Sequence, residues 1–101
     1  MEIRYSDTDT RIYFHKVVGK IFKILPISED FPKTIDKYIC DLIGELHGNV
    51  GILTKVCDKV CLMTIIGHLN HLVETGCSTE DIKSTVFECI RLAKILAGED
   101  T

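Results

Sequence analysis

An all-α fold, a compact bundle of four to five helices, is what the sequence predicts, and three observations predict it. Apolar residues recur at three- and four-residue steps through most of the chain. The stretches so patterned are divided by helix-interrupting residues at Pro26, Pro32, Gly48 and Gly76. Nothing reads as a strand except Glu2 to Tyr5, which is too short to pair alone.

The first helix begins near Thr8 or Thr10 and runs to Leu25. Phe14, Val17, Val18, Ile21, Phe22 and Leu25 form its apolar face, and Lys16, Lys20 and Lys23 form the opposite stripe. Pro26 donates no backbone hydrogen bond and biases Leu25 away from helical geometry, so residues 26–31 read as a connection. The second helix opens around Pro32, with Glu29 and Asp30 placed where carboxylates favour a helix start. Its buried face is Ile35, Tyr38, Ile39, Leu42, Ile43 and Leu46. His47-Gly48-Asn49 then supplies a stop, and a cap for the next helix.

The third segment, Val50 to Thr75, is predicted to be central and buried. Ile52, Leu53, Val56, Val60, Leu62, Met63, Ile65, Ile66, Leu69, Leu72 and Val73 spread around most of its circumference. A helix apolar on every side needs cover on every side, more than three companions in a short chain supply. Part of it is therefore expected to meet a second copy, through Met63, Ile66, Leu69 and Val73. The pattern allows one long helix or a break near Gly51 or Gly67. The last helix starts near residue 79, because Ser78-Thr79-Glu80-Asp81 sets a hydroxyl ahead of a carboxylate at capping-box spacing. Ile82, Val86, Phe87, Cys89, Ile90, Ala93 and Leu96 face inward and Gly98 ends it.

Composition bounds the class. A chain of 101 residues, 46% hydrophobic and 27% charged with two prolines, is one folded domain's worth, so 1–101 is expected to be a single helical domain. The N-terminus lacks the basic-then-apolar order of a secretory signal, and no window holds eighteen uninterrupted apolar residues. Five cysteines make an odd count without zinc-knuckle spacing, which suits reduced thiols in a cytoplasmic protein that contacts no membrane. The net charge of −3 weighs against a dedicated nucleic-acid binder.

Few residues offer chemistry. Cys57, Cys61, His68 and His71 share one face of the third helix, within roughly 80° at about 100° per residue. Both residue types ligate zinc and related metals. Residues 57 and 71 nevertheless lie about 21 Å apart along the axis at 1.5 Å per residue, so one ion cannot take all four. Cys57 with Cys61, or His68 with His71, could each supply two ligands. Buried cysteine is also a common small core residue.

The stretch from Cys61 to His68, continuing through Leu69 to Ile82, resembles the core motif of the carboxymuconolactone decarboxylase and alkylhydroperoxidase-D-like family. The resemblance covers about 22 of 101 residues. It implies that Cys61 matches the first redox cysteine, His68 the family's histidine, and Gly76 to Ile82 the turn and next helix start. Thr64 stands where the second cysteine belongs, so a peroxidase relay would need Cys57 or Cys77 instead. The same turn fits a helix-turn-helix, but Glu80 and Asp81 would then face phosphates with like charge. The Lys16, Lys20, Lys23 stripe is the basic surface of note, able to dock an acidic partner.

There is no glycine-rich phosphate loop, Gly-x-Ser-x-Gly, His-Glu-x-x-His or Glu-x-x-His motif. The expectation is thus a cytoplasmic, homodimeric interaction or regulatory module without a cofactor, its partner another protein rather than nucleic acid. The alternatives are a thiol- or metal-dependent catalyst centred on Cys61 and His68, and a nucleic-acid binder using the basic first helix.

Overall fold

The computed structural model describes residues 7–31, 33–53, 55–75 and 79–98. They form five α-helices: α1, Asp7–Phe22; α2, Ile24–Asp30; α3, Ile35–Gly48; α4, Val56–Thr75; and α5, Thr79–Leu96. A single 3₁₀ turn, Val50–Ile52, joins α3 to α4, and no strand occurs among the described residues. The protein is an all-α bundle. Expectations that fall on Glu2 to Tyr5, Pro32, and Gly76 to Ser78, including Cys77 and the capping hydroxyl of Ser78, lie outside the described residues.

Pro26 does not end the first helix at Leu25. It lacks the N–H that the carbonyl of Phe22 would accept, and its ring crowds that carbonyl. The helix therefore breaks at Lys23, ahead of the proline. Pro26 then occupies the first turn of α2, where a missing donor costs nothing. Lys23 still donates its backbone N–H to Gly19 and accepts from Ile27, each at 3.2 Å, so helical hydrogen bonds persist on both sides of the one that Pro26 forfeits. Glu29 and Asp30 consequently end α2 rather than begin the next helix, which starts at Ile35.

The core draws on every long helix. Phe14, Val17 and Ile21 of α1 meet Ile39, Leu42 and Leu46 of α3, Leu62, Ile65 and Leu69 of α4, and Val86, Cys89 and Ala93 of α5 in one apolar cluster. No charged or polar side chain is buried among the described residues. The closest helix pairs are α1 with α5, α4 with α5 and α3 with α4, so α4 lies between α3 and α5. Two aromatic residues assigned inward by periodicity, Phe22 and Phe87, are instead about half exposed. Each sits at the edge of its helix's apolar arc, about 100° per residue carrying it away from the buried positions beside it.

The segment over 50–75 is not one helix. The break falls near Gly51, where the 3₁₀ turn gives way to extended Leu53, whereas α4 continues through Gly67. Nor is α4 covered all round. Leu62, Ile65, Ile66, Leu69 and Leu72 are buried, but Val56 is 76% exposed, Val60 59% and Met63 44%. At the far end Gly98, with φ of +75°, supplies the left-handed residue beyond a helix end at no steric cost.

Candidate functional site

Three places on this bundle carry side chains that the core does not use: the outward face of α4, the cleft between α1 and α3, and the cysteine-histidine line beside α5.

On α4, Val56, Val60, Met63, Thr64 and Gly67 succeed one another along the outside of the helix over three turns. All are exposed, and none bears a charge; Lys59 borders the row. Ile66 and Leu69, expected at a subunit interface, are buried in the chain's own core, because their positions on the helical circle face α3 and α5. Val73 is half-buried. Of the four expected interface residues, only Met63 faces outward and is exposed. Val56 and Val60, which are not among the four, are exposed on the same side as Met63.

Between α1 and α3 the backbones do not pack closely, and side chains span the gap. Glu45 is the hub. Its two carboxylate oxygens accept from the Tyr13 hydroxyl at 2.8 Å and from the Lys20 ammonium at 2.7 Å. Asn49 donates through Nδ2 to the Tyr13 oxygen at 2.9 Å and to the Glu45 carbonyl at 2.7 Å, so it ties the cleft together instead of capping the next helix. Tyr38 donates to the Lys20 carbonyl at 2.7 Å. Two open cavities lie on either side of this bridge. One, of about 310 Å³, is lined by Lys20, Lys23, Tyr38, Asp41, Leu42 and Glu45; the other, about 280 Å³, by Asp9, Tyr13, Asn49 and Ile52.

That geometry sets the electrostatics. Burial works to raise the Glu45 carboxyl, but the hydrogen bonds from Lys20 and Tyr13, with the Lys20 charge, outweigh it and hold the group below its ordinary 4.5. Tyr13 is pushed up, first by burial and then by its bond to the Glu45 carboxylate. Tyr38 rises through burial and then the nearby Glu45 charge. Of the predicted basic stripe, then, Lys20 is half-buried and paired with Glu45, while Lys16 and Lys23 are exposed. Sequence alone offers no means of finding Glu45 and Asn49, since a polar residue on the outer arc of a helix looks the same whether or not a tyrosine reaches it from another helix.

Loss of Glu45 is expected to weaken the bundle modestly, because the Lys20–Glu45 pair is partly solvated. Glu45→Ala should cost about 1 kcal/mol in urea denaturation. A carboxyl held low in the folded state stabilises fully above its unfolded value near 4.5 and stops doing so as pH falls through the folded value. The difference between the wild type and Glu45→Ala should therefore shrink on acidification; a difference that grows would contradict the assignment.

Cys57, Cys61, His68 and His71 do share a side of α4, with Cys57 and His71 exposed and Cys61 and His68 half-buried. Cys61 points its thiol at the Leu92 carbonyl of α5, at 3.5 Å, and His68 lies near enough to Glu88 of α5 to influence its charge. Burial, reinforced by Asp58, raises the Cys61 thiol, which opposes the thiolate that a redox nucleophile needs. Among the described residues no three His, Cys, Asp or Glu side chains converge on one ion position. No helix among them is long and apolar enough to cross a membrane.

Comparison with protein-family models, with curated proteins and with solved structures finds no match.

Proposed function

We propose that this chain is a non-catalytic helical interaction module of the cytoplasm, an adaptor, inhibitor or accessory subunit, that pairs with a second copy of itself through the outward face of α4. The observation that carries this reading is the uncharged row Val56, Val60, Met63, Thr64 and Gly67, exposed along three turns of one helix. The row is self-complementary. When two copies cross antiparallel with a two-fold axis between residues 61 and 62, Val60 of each meets Met63 of the other. The same axis sets Val56 over Gly67, where no atom lies within 4 Å of the absent Cβ. No like charges are opposed. The face is small beside the roughly 20–30 residues per side of a standard interface, so the pairing is weak and concentration-dependent.

Sedimentation equilibrium should show a monomer–dimer equilibrium, and Val60→Lys should leave only monomer with an unchanged thermal melt. Phe87→Lys, a change of similar exposure away from α4, should leave the dimer intact. A wild type that stays monomeric at high concentration, or a Val60→Lys dimer of undiminished affinity, would refute the proposal.

A further inference from the structure

Cys57 and Cys61 stand one turn apart on the same side of α4, and the charge of a Cys57 thiolate is felt at Cys61. Their thiols have only weak partners: Cys57 donates to Asp58 Oδ1 at 3.9 Å and Cys61 to the Leu92 carbonyl at 3.5 Å. Spacing decides what such a pair can do. Residues four apart on a helix hold their Cβ atoms about 5–6 Å apart. A disulfide requires roughly 3.5–4.5 Å, so closing one would unwind this turn of α4.

A metal ion bound in line between two sulfurs is a better fit. With metal–sulfur bonds of about 2.3 Å, as zinc makes, the two sulfurs stand about 4.6 Å apart, which two side chains leaning together across one helical turn can reach. Coordination number then selects the metal. Zinc in a structural site takes four ligands, and no third His, Cys, Asp or Glu joins this pair among the described residues. A soft monovalent ion is satisfied by two thiolates. We propose that Cys57 and Cys61 form a two-coordinate, intrahelical site for a soft monovalent cation of the copper(I) and silver(I) class.

Binding exchanges two S–H bonds for two metal–sulfur bonds and releases two protons; no electron is transferred, and the bound unit carries one negative charge. Burial and the Asp58 carboxylate disfavour the Cys61 thiolate and outweigh the positive charge of Arg91 from α5, so the metal–sulfur bonds themselves must displace the protons. Cys89 is no competitor: it is fully buried in the core, and burial pushes its thiol up to about 12. Both ligands belong to one chain, so the site does not depend on the pairing proposed for α4.

Silver(I) and copper(I) are the probes, titrated anaerobically into protein carrying Cys40→Ser and Cys77→Ser, so that Cys57, Cys61 and the buried Cys89 are the thiols that remain. Native mass spectrometry should find one ion per chain. Adding either Cys57→Ser or Cys61→Ser should weaken retention against a competing chelator by about a hundred-fold, with circular dichroism unchanged. Affinity should fall about a hundred-fold for each unit of pH lost while both thiols are protonated, the signature of two displaced protons. Retention unaffected by either single substitution, a one-proton dependence, or one ion shared between two chains would overturn the proposal.

Discussion

Leu69→Asp is expected to unfold the chain. Leu69 is fully buried, packed where α4 meets its neighbours, and has no polar group in the core that could receive a carboxylate. Removing its side chain alone costs about 2–5 kcal/mol by the measure of comparable leucines. Burying an unpaired charge adds several kcal/mol more, or forces the residue to stay protonated. Against a domain stability of roughly 5–15 kcal/mol, little is left. The check is far-ultraviolet circular dichroism and a urea titration: helical signal should be lost or the midpoint should collapse. Val60→Asp, on the same helix but facing outward, should shift stability by only about 0.5 kcal/mol. A folded Leu69→Asp protein that had merely changed its mass in solution would mean that Leu69 sits at a subunit boundary.

Phe14→Ala should be the next most damaging single change, at about 3–5 kcal/mol. Phe14 is fully buried, and its ring meets that of Tyr13 edge to face, with centroids 5.1 Å apart. Such an arrangement adds about 0.5–1.5 kcal/mol beyond area burial. The substitution also probes whether the chain behaves as one domain. Because α1 shares its core with α5, thermal unfolding should remain a single transition at lower temperature, by circular dichroism and calorimetry alike. Two separated transitions would show α1 to be an appendage.

The interior is more legible in the amino-acid order than the surface. Ile39, Leu42 and Leu46, or Val86, Cys89 and Ala93, stand out because helical periodicity and burial are the same signal seen twice. Boundaries are harder to place where one residue has two meanings. Pro26 is equally at home after a helix and in a first turn, and only the bend at Lys23 shows which applies. The outward face of α4 is half legible. An excess of apolar residues over 50–75 is evident, but which of them face out depends on where α3 and α5 lie, and that puts Ile66 and Leu69 inside rather than at an interface. The Glu45 hub is not legible at all, since its partners come from 25 and 32 residues away.

That hub gives the bundle an uneven seam. Elsewhere the helices adhere through hydrocarbon, which water cannot replace; α1 and α3 share that apolar cluster and add along its rim a strip of oxygen and nitrogen atoms, for which water is a ready substitute. Opening that rim would forfeit only hydrogen bonds that solvent restores, whereas parting Phe14, Val17 and Ile21 from Ile39, Leu42 and Leu46 would bare hydrocarbon to water. The polar rim is therefore the part of this contact that yields first to water, and the hydrocarbon beneath it is the part that holds.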